Sequence, residues 1–135
     1  MVDPAEVLNG EIGAPVHFNG HYWCDYGADP SAPMSWRYKG PAGSGALADV
    51  GSHLLDAAEY VCGPIVAVSG AVFVTSIKER ALPAGAAVGH AAAELSDVVE
   101  PVENEDLASF SATFEGGAVG TFSVSRVAVG HLNSL

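Results

Sequence analysis

Apolar residues between positions 44 and 64 recur with the period of an α-helix. At about 100° per residue, one side of this segment is apolar: Leu47, Val50, Leu54, Leu55, Ala58, Val61 and Cys62. Ser44 is a candidate N-cap, and Gly63 before Pro64 is a typical helix end. The pattern therefore predicts an amphipathic helix that packs its apolar side against a core.

The opposite edge of this helix is polar, and its side chains align at i, i+4, i+7 and i+11: Asp49, His53, Asp56 and Tyr60. One interpretation is a solvated edge, because an exposed i,i+4 pair is common and adds only about 0.3–0.5 kcal/mol. The other is a functional edge. Gly51 favours the second, because a mid-helix glycine costs about 1 kcal/mol relative to alanine and needs a reason, such as the close approach of a ligand or of another backbone segment.

Strands are predicted on both sides of the helix. Residues 15–24 alternate with period two, and residues 65–75 are apolar and β-branched throughout, which is typical of a central strand covered on both faces. Residues 106–114 and 118–126 alternate on either side of the turn at 115–117 and predict a β-hairpin.

Two segments have no clean period. Residues 76–104 contain prolines, glycines and acids and predict a long surface loop, with a short helical turn near 91–95 and a solvent-exposed His90. Residues 34–39 carry two aromatic residues beside two cations. This segment is either an apolar anchor that fastens the loop to the core or one wall of a substrate cleft.

Composition narrows the class of protein. The chain has 135 residues, 49% of them hydrophobic and 16% charged, which indicates one globular domain. A net charge of −11 with five Lys and Arg residues argues against nucleic acid or an anionic membrane as partner. No apolar run or signal-like pattern indicates a membrane span or secretion, so a cytoplasmic location is expected.

Metal, redox and nucleotide motifs do not stand out in the sequence. Cys24 and Cys62 are far apart and predict reduced, buried thiols, not a zinc site or a redox pair. The glycine-rich residues 40–45 lack the G-x-G-x-x-G spacing and the P-loop lysine. We therefore predict no metal site and no cofactor-binding residues within this chain.

Taken together, the motifs at 36–37, 43–56 and 125–133 resemble the C-terminal domain of the Gfo/Idh/MocA family of nicotinamide-dependent sugar and polyol oxidoreductases. The D-x-G-x-H-x-x-D helix, from Asp49 to Asp56, is the most specific part of the likeness. Residues 8–15 are also similar to the G-E-I-G-x-P junction that leads into this domain in the family. The likeness covers nearly the whole chain.

The resemblance implies a fold and an assembly. It implies an α+β domain, of the dihydrodipicolinate-reductase-like type, with helices on one face of a mostly antiparallel sheet whose other face is the oligomer interface. It implies a separate N-terminal Rossmann domain that binds NAD or NADP and supplies a catalytic lysine. Because this chain has neither the Rossmann fingerprint nor the later strands, we expect residues 1–135 to be one substrate-binding and oligomerisation domain of a larger enzyme, shortened and inactive by itself.

The resemblance also implies the site. The catalytic Asp and His of the family fall on Asp49 and His53. Oxidation of a CH–OH group needs a base for the hydroxyl proton, and an imidazole, with a pKa near ~6.5, suits this role. We expect His53 to be the base and Asp49 to bind the substrate hydroxyl or favour the imidazolium. Further candidates for binding a sugar-like substrate are Trp36, Arg37, Tyr60, Arg126, His131 and Asn133.

Two other functions stay open from the sequence. The chain could be a binding or oligomerisation module that keeps the sheet interface without catalysis. It could also be a metal-dependent hydrolase or lyase that uses Asp49, His53 and a third, distant histidine, although an i,i+4 pair alone is a weak metal site. For Arg126, an ion pair with one of the sixteen acidic residues is the alternative to substrate binding.

Overall fold

The computed structural model describes residues 5–6, 9–11, 13–85 and 94–134. A π-helical turn at Leu47–Gly51 leads directly into the helix α1, Ser52–Cys62, and Trp36–Tyr38 forms a short 3₁₀ turn. The strands are β1 His17–Trp23, β2 Ile65–Val74, β3 Glu79–Pro83, β4 Leu95–Pro101, β5 Leu107–Phe114, β6 Val119–Ser125 and β7 Leu132–Ser134.

Five of these strands form one sheet in the order β2-β5-β6-β1-β7. Every neighbouring pair is antiparallel except β1 and β6, which run parallel. β5 and β6 form the hairpin that the alternation predicts, and Gly117 supplies the positive φ of 89° in its turn. The α+β class with a mostly antiparallel sheet is therefore confirmed.

The core lies between α1 and one face of this sheet. Alternate residues of β1, β5 and β6 point to the helix, which is the period-two pattern of a half-buried sheet. The rings of Phe110 and Phe122 stack with centroids 4.8 Å apart, and Phe18 stacks on Phe122 at 5.4 Å. Leu54 and Ala58 of α1 close the core from the other side.

Gly51 is explained by this packing. A Cβ atom at position 51 would lie 2.9 Å from Cδ1 of Leu47 and 3.3 Å from Cγ1 of Val124. The glycine therefore lets the start of the helix approach β6 closely, so a ligand is not needed to account for it.

The prediction of a central strand at 65–75 is wrong for this chain. Among the described residues, β2 lies at the edge of the sheet and pairs with β5 alone, and its own residues are exposed or half-buried. α1 does not extend over β2, so Val68 and Phe73, which point to the helix side, remain 56% and 43% exposed. A β-branched apolar run indicates a strand, but it does not fix the position of that strand in the sheet.

The prediction of a surface loop at 76–104 is also wrong in part, because β3 and β4 pair there as a two-stranded sheet. The buried side chain of β3 is Arg80, a charged residue, so no apolar alternation announces the strand. Leu95 begins β4. His90 and residues 91–93 of the predicted helical turn lie outside the described residues.

Candidate active site at the start of the helix

Asp49 lies in the π-helical turn and His53 in the first turn of α1. In a regular α-helix, four residues exceed one full turn by about 40°. A π turn closes i→i+5 hydrogen bonds and winds more slowly, so it removes part of that offset. The π turn therefore brings Asp49 and His53 closer to one line along the helix than an α-helix would.

The start of the helix is capped from a distant part of the chain. Ser44, the predicted N-cap, donates its hydroxyl to the carbonyl of Pro41 at 2.6 Å and caps nothing, so that prediction is wrong. The buried Glu105 carboxylate accepts the amides of Gly43, Gly45 and Leu47 at 2.6, 3.1 and 3.0 Å. It thus supplies both the acceptors and the negative charge that a helix N-terminus favours.

The carboxylate of Asp49 is held by two side chains from outside the helix. The hydroxyl of Tyr26 donates to Oδ2 at 2.6 Å, and Nε of Arg37 lies 3.6 Å from the same oxygen. Burial raises the pKa of Tyr26 strongly, and the hydrogen bond to Asp49 adds to the effect. The Tyr26 hydroxyl therefore keeps its proton at neutral pH and acts as a hydrogen-bond donor.

His53 is exposed and lies beside β1. Its ring centroid is 6.1 Å from that of Tyr22. Asn133 of β7 is the register partner of Tyr22 and therefore lies on the same face of the sheet. Nearby in the chain, Nδ1 of His131 is 3.4 Å from Oδ1 of Asp25.

The side chains of residues 34–39 differ in burial, and the anchor interpretation applies to the buried ones. Met34 and Tyr38 are buried with Val102 and anchor the segment. Trp36 is 73% exposed, and the guanidinium of Arg37 lies 4.5 Å from the centroid of its ring. The exposed indole of Trp36 thus adjoins Arg37, which in turn adjoins the Asp49 carboxylate.

Two predicted substrate residues lie elsewhere. Arg126 is fully buried, and its nitrogens donate to Asp106, to Asn104 and to the carbonyl of Arg37 at 2.8–2.9 Å. Tyr60 is seven residues beyond His53, which is about 10 Å along a helix. Burial therefore keeps Arg126 from a substrate, and the distance along the helix separates Tyr60 from His53.

Sequence reasoning missed the buried polar residues that support this cluster. Asn104 donates to the carbonyls of Arg37 and Lys39, each at 3.0 Å, and Asp106 accepts the amides of Ser76 and Ile77. The ring of Tyr38 lies between two guanidiniums, with Arg80 at 4.1 Å and Arg126 at 4.6 Å. The run of polar residues from 104 to 106, directly before an alternating strand, is the one signal that could have shown them.

The positions of the His, Cys, Asp and Glu side chains in the described ranges bear on the possible use of metal ions and thiols. There, His, Cys, Asp and Glu side chains form no group of three or more that could hold a metal ion. Cys24 and Cys62 are free, and burial raises the pKa of both thiols. No helix in this part of the chain is long and apolar enough to cross a membrane.

The class of protein follows from two findings: the helix-on-sheet fold with an Asp–His pair at the start of the helix, and the similarity of the chain to a known family. The family model of the GFO/IDH/MocA C-terminal domain matches residues 5–135, and the chain belongs to this family.

The relatives make the likeness more specific. Levoglucosan dehydrogenase of Pseudarthrobacter phenanthrenivorans is 40% identical over 129 residues, which are 94% of this chain and 33% of that protein. The apo structure of a levoglucosan dehydrogenase matches 96% of this chain and 33% of its own length, at 36% identity and a TM-score of 0.83. A levoglucosan dehydrogenase in complex with NADH and levoglucosan matches 96% of this chain and 31% of its own, at 34% identity and a TM-score of 0.75. The chain thus spans about a third of the length of these relatives.

Proposed function

We propose that this chain is the substrate-binding domain, with the catalytic helix, of an NAD- or NADP-dependent oxidoreductase that acts on the CH–OH group of a sugar or polyol. The observation that carries the proposal is the alignment of Asp49 and His53 on one edge of the helix, with Tyr26 and Arg37 on Asp49. The likeness to levoglucosan dehydrogenases, one of them in complex with NADH and levoglucosan, supports it.

His53 is the base in this proposal. Its ring is exposed, so a substrate hydroxyl can reach it, and an imidazole accepts a proton near neutral pH. Asp49 accepts a hydrogen bond from a second hydroxyl of the substrate and favours the imidazolium once the proton has moved to His53, because opposite charges stabilise each other. In the reverse direction, His53 returns the proton to the oxygen of a ketone.

The chain does not itself hold the dinucleotide. It lacks the glycine-rich turn between strand and helix that binds a pyrophosphate in Rossmann domains. When bound by another part of the enzyme, the nicotinamide supplies the hydride acceptor. Residues of this chain bind the substrate and move its proton.

Four residues around Asp49 and His53 are suited to a hydroxylated ring. Trp36 offers an exposed apolar surface for the C–H face of a sugar, and Arg37 offers hydrogen-bond donors beside it. Asn133 and His131 stand toward the other end, near Tyr22 and Asp25. We leave Arg126 and Tyr60 out of the substrate contacts because of their positions.

Self-association through the open face of the five-stranded sheet is part of the proposal. This face carries a cavity of about 530 Å³ lined by polar side chains such as Asn19, Ser109, Ser111 and Ser123. Nε2 of His21, in the same lining, is buried and has no hydrogen-bond partner in the described part of the chain. A second copy on this face would offer partners, and a module that only oligomerises would use it too. The proposed enzyme is expected in the cytoplasm.

One experiment separates the enzyme from the module. An antibody raised to this chain gives the mass of the native polypeptide on an immunoblot, and the corresponding full-length protein is then assayed for NADH or NADPH formation with levoglucosan and other sugars. We expect a band about three times the 13.7 kDa of this chain, because the chain spans about a third of the length of its relatives. We also expect His53→Asn to lower kcat by about a hundredfold or more, because a general base contributes about 10²–10⁴-fold.

His17→Asn is the matched control, because His17 is an exposed histidine at the start of β1. It should keep the wild-type rate. A native band at 13.7 kDa, or a wild-type rate in His53→Asn, would contradict the proposed chemistry and favour the non-catalytic module.

A further inference from the structure

We propose that Tyr26 is a positioning residue that holds Oδ2 of Asp49, so that the carboxylate presents Oδ1 to a second hydroxyl of the substrate. This inference rests on the proposed function and adds to the site a residue that neither the helix pattern nor the family motif contains.

The contact itself is short and directional. The Oη–Oδ2 distance of 2.6 Å lies in the range of charge-assisted O–H···O⁻ hydrogen bonds, which are about twice as strong as neutral ones. Nε of Arg37 approaches the same oxygen at 3.6 Å, so both neighbours occupy one side of the carboxylate. In the described part of the chain Oδ1 forms no hydrogen bond or ion pair, and the Asp49 side chain is 37% exposed. The free oxygen is therefore open to a ligand.

Tyr26 is held on a rigid support. On one side of it, the amide of Cys24 donates to the carbonyl of Ser125 at 2.8 Å; on the other, the amide of Gly27 donates to the carbonyl of Arg126 at 2.8 Å. A Cβ atom at position 27 would lie 3.0 Å from that same Arg126 carbonyl, so this segment packs tightly against the end of β6. The backbone on both sides of Tyr26 is thus fixed to the sheet. This support holds the Tyr26 side chain in place, and its hydroxyl in turn holds Asp49.

Arg37 is less suited to this task. Its Nε atom is buried without a hydrogen-bond partner in the described residues, and 3.6 Å is longer than a hydrogen bond. A substrate oxygen can compete for this guanidinium, whereas the Tyr26 hydroxyl already makes a full hydrogen bond to the carboxylate. Tyr26 therefore keeps Asp49 oriented even when Arg37 turns to a ligand.

The local contact is tested on the 135-residue chain by NMR, with tyrosine labelled at ¹³Cζ and followed through a pH titration. We expect the midpoint of Tyr26 to lie above the ordinary tyrosine value of ~10. We expect it to fall measurably in Asp49→Asn, which removes the charged acceptor. An unchanged midpoint in that variant would overturn the inference without any reference to activity.

The role in the reaction is tested in the full-length enzyme that carries this chain. Tyr26→Phe removes the hydroxyl alone, and we expect kcat to fall about tenfold, the loss of one charge-assisted hydrogen bond, while KM changes less than about twofold. In an Asp49→Asn background the same substitution should have no further effect, because Tyr26 acts through Asp49. A merely structural role would give the same loss in both backgrounds.

Ser31→Ala is the matched control. It also removes a hydroxyl that donates to a carboxylate, that of Asp29, at 2.7 Å in an exposed loop. Its kcat should equal that of the wild type. If the wild type is active and His53→Asn is not, but Tyr26→Phe keeps full activity, the inference fails and the proposed function stands. If the wild type itself oxidises no sugar, the proposed function fails and this role falls with it.

Discussion

Glu105 is the residue on which the geometry at the start of the helix depends most directly. Glu105 is 1% exposed, and its carboxylate accepts the amides of Gly43, Gly45 and Leu47. Oε1 takes the last two, and Oε2 takes the amide of Gly43 at 2.6 Å. Glu105→Gln changes one oxygen into an NH₂ group, which cannot accept a hydrogen bond.

The cost of this substitution follows from those contacts. A glutamine that keeps its carbonyl at the Oε1 position leaves the Gly43 amide facing a second donor, and an unsatisfied buried donor costs about 1–3 kcal/mol. The lost negative charge at the helix N-terminus adds about 0.3–1 kcal/mol. We therefore expect the free energy of unfolding to fall by about 3 kcal/mol, which lowers the melting temperature by roughly 10 °C for a domain of this size.

The assay is thermal unfolding of the 135-residue chain, followed by far-UV circular dichroism. Glu103→Gln is the matched control: its carboxylate also accepts a backbone amide of this loop, that of Gly40 at 2.9 Å, but it is exposed. It should shift the melting temperature by only a small fraction of the Glu105→Gln shift. Equal melting of Glu105→Gln and wild type would show that water satisfies the amides of residues 43–47, and would refute the role given to Glu105.

Two further predictions concern the same region. Gly45→Ala should destabilise the chain more than Gly116→Ala, because a Cβ at position 45 would collide with the backbone carbonyl of Glu105, whereas position 116 has open space. Urea unfolding of both variants checks this prediction, and equal unfolding midpoints would contradict it. Burial, followed by the charges of Asp25 and Asp49, raises the pKa of Cys24, so its thiol stays protonated where the unfolded chain ionises. The contribution of this thiol to the free energy of unfolding should therefore be complete below about pH 8.5 and should fall as the pH rises above that value. Cys24→Ala should show a weaker decline in melting temperature between pH 7 and 10, and parallel declines would be the contrary result.

The sequence predicts those elements in which buried and exposed residues alternate at a regular spacing. The helix alternates between a core side and an open side, and β5 and β6 bury every second residue, so the hydrophobic pattern finds them. The end of the helix at Gly63, with a φ of 83°, is equally local. Asp49 and His53 follow from the same helix and from the family motif that contains them.

What the sequence does not predict depends on contacts between distant residues. The cap at the helix start comes from Glu105, 60 positions beyond Gly45, and the bond from Tyr26 to Asp49 joins residues 23 apart. The β3–β4 pair has few buried side chains and carries Arg80 as its inner residue, so it has no hydrophobic period to detect. These features follow from the fold once it is formed, and no local pattern encodes them.

The placement of the cations bears on the class of substrate. The chain has five, and two of them, Arg80 and Arg126, are buried and stack on Tyr38 or bind backbone carbonyls. Lys39 lies 2.7 Å from the Glu100 carboxylate. Nε of Arg37 lies 3.6 Å from Oδ2 of Asp49, whose negative charge balances that of the guanidinium. An anionic ligand, such as a phosphorylated sugar, would meet a chain of net charge −11 with no unpaired cation of this cluster to bind it. This charge distribution supports the proposal of a neutral, hydroxylated substrate, whose hydroxyl groups can donate to the Asp49 carboxylate and accept from the Arg37 guanidinium.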